Sequence, residues 1–200
     1  MVKRGLFLVV VILLIALATL YYLFYIRQNQ PATLDSELIN IPSNLITLDN
    51  FDQVSEIFDN DSGYVRVIAL LSPTWPASLR GFSGLQEIAA KIPDAQLHFY
   101  IIWMPIYPSD TWESAVKQSN LFRDERLTYF WDHNQISGIT WQQVLAIDQL
   151  AWDLYFIYDR NQQWQFEPTP PDYWMRQLKG LVEAPLFDTE AFEEKVKEML

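Results

Sequence analysis

From Gly5 to Ile26 the chain runs GLFLVVVILLIALATLYYLFYI without a single charge. A bilayer core of roughly 30 Å needs about 20 apolar residues in helical form, so this run is long enough to span it. A helix also satisfies its own backbone polar groups, the condition for crossing hydrocarbon. The segment predicts one transmembrane signal-anchor helix over residues 1–26 and leaves the remainder to fold in water. Lys3 and Arg4 precede the run, and Tyr21, Tyr22 and Tyr25 gather at its far end, where amphipathic rings favour the headgroup layer. At that far end Arg27 stands alone, followed by Asp35 and Glu37, so the positive-inside rule puts the N-terminus in the cytoplasm. The expected location is an inner (cytoplasmic) membrane, with lipid around the helix and a periplasmic or otherwise extracytoplasmic domain. A cleaved signal peptide competes with this reading, because Ala16-Leu17-Ala18 has the character of a cleavage box. Apolar residues continue from Thr19 to Ile26, which favours an uncut anchor.

The formal net charge is −11, and the excess of acid is larger still beyond Arg27. Such a surface excludes nucleic acid and suits either simple solubility or a basic extracytoplasmic protein partner. The chain has no cysteine and two histidines. Disulfides, thiolate nucleophiles, cysteine-ligated metal and covalent haem are thereby excluded, and a histidine-rich metal site with them. No cofactor is expected.

Residues 27–43 are polar, hold Pro31 and Pro42, and read as a linker. Beyond them strand and helix patterns alternate. Leu45–Thr47 is a short strand, and Asp49 is placed to cap a helix running to about Phe58. Strands are expected over Tyr64–Leu71, Leu97–Met104, Arg126–Trp131 and Trp152–Tyr158. Helices are expected up to Ile92, from Gln135 to Ile147, from Asp172 to about Val182, and from Asp188 to the C-terminus. A further helix is capped by Asp110, with Glu113 closing a capping box. Gln163–Phe166 pairs with Trp152–Tyr158 as a hairpin about Asn161-Gln162. The order β-α-β-α-β-α-β-α-β-β-α-α implies parallel crossovers with antiparallel strands at the end, a mixed sheet between helices. The divisions that follow are a domain over 44–184 and an acidic amphipathic helix over 185–200.

From Leu45 to about Val182 this order resembles the thioredoxin-like fold. The local match is the strand YVRVIALL, the loop SPTWPAS and the helix SLRGFSGLQEIAAKI, and YFWDHN and AWDLYFIYD are similar to stretches of the same group. In thioredoxin-like proteins the redox C-x-x-C occupies that strand-to-helix loop. Here Trp75 and Ser78 stand at the cysteine positions. The redox chemistry needs a thiolate and a second thiol to resolve the mixed disulfide. Tryptophan offers no nucleophile, and a serine hydroxyl without a base is a poor one. Pro76 suits a first helical turn, and Ser78 is placed to satisfy an orphan helix donor. The resemblance also implies a cis-proline just before the strand that follows the third main helix, yet the matching stretch, Asp148 to Trp152, contains no proline. Together the departures imply a redox-inactive domain.

Other candidates have bland alternatives. Asp132-His133 at a strand end is more often a turn than an acid–base pair. Asp153 in an apolar strand is either a titrating group, as in related redox folds, or an edge residue facing water. Trp103, Trp131, Trp141, Trp152 and Trp164 are expected in the core, while Trp75, Pro76 and Trp112 are candidate partner-binding residues. Phe192, Val196 and Met199, with Leu200, share one face of the last helix, which either packs on its own domain or docks onto a partner. Two functions follow. The first is a non-catalytic structural or assembly subunit of a membrane protein complex, respiratory or photosynthetic, contacting other membrane subunits. The second is a peptide binder, chaperone-like protein or non-thiol enzyme using the former redox groove.

Overall fold

The structure is a computed structural model that describes Thr19, residues 41–164 and residues 167–200. The expected spanning helix, its interface residues Lys3, Arg4, Tyr21, Tyr22 and Tyr25, and most of the linker lie outside the described residues. Among the described residues no helix is long and apolar enough to cross a membrane.

Among the described residues six strands and five helices follow in the order β1 (Leu45–Thr47), α1 (Asp52–Asn60), β2 (Val65–Leu71), α2 (Pro76–Lys91), β3 (Leu97–Trp103), α3 (Trp112–Leu121), β4 (Leu127–Trp131), α4 (Ile136–Val144), β5 (Leu154–Tyr158), β6 (Tyr173–Arg176) and α5 (Thr189–Met199). They form one sheet in the order β1-β4-β3-β2-β5-β6. The pairs β1–β4, β4–β3 and β3–β2 are parallel; β5 runs antiparallel to β2, and β6 antiparallel to β5.

All seven residues of β2 are buried, so the strand reads as a continuous apolar run rather than an alternation. The sheet separates two cores. One gathers Val67, Ala69, Phe99 and Ile101 with Phe82, Leu85 and Ile88 of α2, Val116 of α3, and Phe192 and Val196 of α5. The other gathers Ile68, Leu70, Tyr100 and Phe156 with Phe58 of α1 and Trp141 of α4. Arg66 is the exception within β2. Its guanidinium is buried, lies 3.9 Å from the centre of the Phe58 ring, and donates to the carbonyls of Phe58, Asp159 and Gln162. Burial lowers its pKa.

Four local expectations are corrected. Residues from Asp172 do not start a helix: Tyr173–Arg176 is β6, the true antiparallel partner of β5. The Asp172 carboxylate instead accepts the Asp159 N–H at 2.8 Å, across the turn that leaves β5. Gln163 and Trp164 are not in a strand. The N-cap of α1 is Phe51 rather than Asp49, and Gln53 Oε1 accepts the N–H groups of Asp49 and Asn50. The capping box of α3 is built by Thr111 and Ser114, not by Asp110 and Glu113.

Candidate functional site at the Trp75 loop

The parallel strands β2, β3 and β4 all end at one edge of the sheet, where α/β folds place ligands. Three connections meet there. Ser72 to Trp75 leave β2, Met104 to Thr111 leave β3, and Trp152-Asp153 enter the antiparallel β5. Trp75 is the N-cap of α2, with Pro76 at the first helical position. Fixed φ and a missing N–H make proline suitable for that place.

One carboxylate holds two of these loops. Asp110 is buried and accepts from Ser72 Oγ at 2.9 Å, from Thr74 Oγ1 at 2.5 Å, and from the N–H groups of Ile106 at 2.9 Å and Tyr107 at 2.8 Å. Ser72 Oγ in turn accepts the N–H of Trp75 at 3.0 Å. Trp75 and Tyr107 are thus tied to a common anion. Their rings stack, with centroids 5.1 Å apart and planes at 25°. Trp152 stands edge-on to both, at 6.5 Å from Trp75 and 5.9 Å from Tyr107.

These three aromatics border a groove of about 800 Å³ that Arg80, Gln149, Asp153, Gln177, Lys179, Leu186 and Phe187 also line. Ser78 is fully buried behind Asp153 of this lining; its Oγ donates to Asp153 Oδ1 at 2.9 Å and accepts the Ser72 N–H at 3.3 Å. Ser78 therefore braces the loop against β5, instead of capping its own helix as its place in the sequence suggests. Asp153 is 1% exposed and has a φ of 54°, a left-handed conformation that Asp tolerates better than most residues. No cis peptide bond occurs among the described residues.

No protein-family model matches the chain, and no curated protein matches it in sequence. Several solved structures are similar in fold. A thiol:disulfide interchange protein of the thioredoxin family from Chlorobium tepidum TLS is 10% identical, with 70% of this chain and 82% of that one covered and a TM-score of 0.44. A secreted Mycobacterium tuberculosis disulfide oxidoreductase is 12% identical over 70% and 84% of the two chains, with a TM-score of 0.41. A SCO1/SenC family lipoprotein from Bacillus anthracis is 12% identical over 70% and 83%, with a TM-score of 0.45. The strand order, with its antiparallel pair set beside the strand that feeds the Trp75 loop, decides the class. The fold is thioredoxin-like.

In this thioredoxin-like frame Trp75 and Ser78 stand at the strand-to-helix loop and first turn that follow β2, and the chain has no thiol to attack a disulfide. Trp75 is 37% exposed at the groove. Pro76 is exposed beside it, whereas Trp112 lies half-buried against the core, away from the groove lining. The last helix takes the intramolecular alternative: Phe192 and Val196 are fully buried, and Met199 packs against the same core. Trp103, Trp131, Trp141 and Trp164 are core residues, but Trp152 is half-buried at the groove. Asp132 is structural, since its carboxylate accepts the N–H groups of Ile136 and Ser137 and so caps α4. His133 is exposed. Sequence reading missed Tyr107, Arg80 and Lys179, which carry no motif and meet only through the topology.

Burial pushes the Asp153 carboxyl up to about 6, against the opposing pull of hydrogen bonds from Ser78 and Tyr155 and the charge of Arg80. The folded state thus binds this proton more tightly than the unfolded chain, where aspartate titrates near about 3.9. The stability it contributes is complete below that value and is lost as pH rises through about 6. Asp153→Asn keeps the shape and tolerates the left-handed backbone. It is expected to raise stability by about 1–2 kcal/mol at pH 7.5 and to leave it nearly unchanged at pH 4. Paired urea titrations of the full chain at the two pH values measure the difference.

Proposed function

We propose that this protein is a membrane-held, non-catalytic thioredoxin-like subunit that docks other membrane-protein subunits through the groove beside Trp75. The observation that carries this reading is the replacement at the redox loop. A partly exposed tryptophan stands at the place of the attacking cysteine, stacked on Tyr107, while Ser78 behind it is sealed from solvent by its bond to Asp153. That arrangement suits contact rather than chemistry. A nucleophile at zero exposure meets no substrate, whereas exposed aromatic anchors set on rigid elements favour interfaces. The uncharged Gly5–Ile26 run supports retention in the inner membrane, with the domain on the extracytoplasmic side.

Native electrophoresis of membranes solubilised in mild detergent, followed by mass spectrometry of the band, tests the reading. The protein is expected to migrate with other membrane proteins in fixed stoichiometry; a monodisperse free monomer contradicts it. Trp75→Ala is expected to weaken that association by roughly 30-fold, the effect of truncating an aromatic anchor. Insulin reduction by the purified chain is expected to be undetectable.

A further inference from the structure

The groove runs against the charge of its own domain. The chain has 25 acidic residues against 14 basic ones, and most cations among the described residues find partners. Lys91 and Lys197 meet Glu193, Arg126 meets Asp124, and Lys195 meets Glu198. Arg66, Arg160 and Arg176 donate to backbone carbonyls. Exposed Lys117 has no such partner and lies away from the groove; Arg80 and Lys179 are the cations at the groove itself. Among the described residues neither side chain has a hydrogen bond or an ion pair, both are exposed, and both line the groove. The one acid in the lining is Asp153, which is buried and occupied by Ser78 and Tyr155. The first turn of α2 also faces this edge and contains no acidic residue.

We propose that the groove takes an acidic peptide segment of a partner protein, with Arg80 and Lys179 meeting its carboxylates and Trp75, Tyr107 and Trp152 receiving an aromatic or apolar side chain. The proposal rests on the docking reading above and adds the chemistry of the partner. It also reverses the charge expected from the total, because a basic segment would meet Arg80 and Lys179 as like charges. The two cations sit on separate elements, α2 and the stretch after β6, on the walls of an open trough. An extended chain needs cover on only one side, whereas a small ligand is normally enclosed over most of its surface.

Fluorescence anisotropy with the full-length protein in lipid nanodiscs tests this. The probes are the hexapeptide Gly-Glu-Trp-Glu-Phe-Gly, labelled with an uncharged dye, and its counterpart with lysine in place of both glutamates. The acidic probe is expected to bind at least tenfold more tightly than the basic one, and to weaken as salt rises from low to physiological concentration. Arg80→Glu with Lys179→Glu, both at exposed sites, is expected to reverse the preference. Equal binding of the two probes, no binding of either, or an unchanged preference in the double variant overturns the proposal. Native electrophoresis separates this failure from failure of the docking reading. A membrane complex lost with Trp75→Ala but kept with the double charge reversal leaves docking intact and overturns the acidic partner. A wild-type protein without any complex overturns both.

Discussion

Replacing Asp110 with alanine is expected to destabilise the domain by about 3–5 kcal/mol, the cost of removing one side of a buried, charge-assisted network. The carboxylate accepts from Ser72, Thr74, Ile106 and Tyr107, so its loss leaves donors from two loops without partners at once. Buried donors left in that state keep their full desolvation penalty. For a domain of this size the change corresponds to a fall in Tm of roughly 10 °C. Asp110→Asn retains one acceptor oxygen and is expected to cost about half as much. Thermal unfolding followed by near-ultraviolet circular dichroism reads both effects, and the near-ultraviolet signal of the stacked Trp75 and Tyr107 should weaken below the transition. A loss under about 1 kcal/mol for the alanine variant, within the range of an ordinary surface change, contradicts the role given to Asp110.

Gly81→Ala is the second large effect, and its sign runs against helix propensity. In an open helix interior the change would stabilise by about 1 kcal/mol. Here an added Cβ would overlap the Tyr155 hydroxyl and lie 2.5 Å from its Cζ. Tyr155 has nowhere to retreat: it is fully buried, stacked on Phe187 at 3.9 Å, and its hydroxyl meets Asp153 and Gln177. Overpacking of such a site costs about 3 kcal/mol before the propensity gain is returned. A net loss of about 2–3 kcal/mol in urea unfolding is expected, with the pH dependence assigned to Asp153 altered as Tyr155 shifts. A stabilised variant would show that α2 does not approach β5 as closely as described.

The layered architecture was legible because its causes are local. Short apolar runs rich in β-branched and aromatic residues, such as VRVIALL and LHFYIIW, suit strands covered on both faces, and Leu85, Ile88 and Ile92 repeat at helical spacing. Errors arose where one acidic residue had two plausible uses. Asp110 and Asp172 both look like helix caps, yet one anchors loops at the groove and the other closes a turn. With Asp172 so used, Tyr173–Arg176 is free to pair with β5 and bury Met175. The groove itself was hardly legible. Trp75 and Ser78 stood out only through the resemblance, and Ser78 meets Asp153 across 75 positions of sequence. Arg80, Tyr107, Trp152 and Lys179 converge because β5 inserts antiparallel beside β2, a pairing no short motif encodes. The charge total even pointed the other way, since it averages over a groove that holds the opposite sign.

Site-specific photo-crosslinking in intact membranes tests the central claim most directly. A photoreactive benzoylphenylalanine placed at Trp75 is compared with one at Tyr64, which lies just before β2, at the opposite end of the sheet. Docking through the groove beside Trp75 predicts a discrete adduct with another membrane protein from position 75 and none from position 64. No adduct at position 75, or the same adduct from both positions, would contradict it.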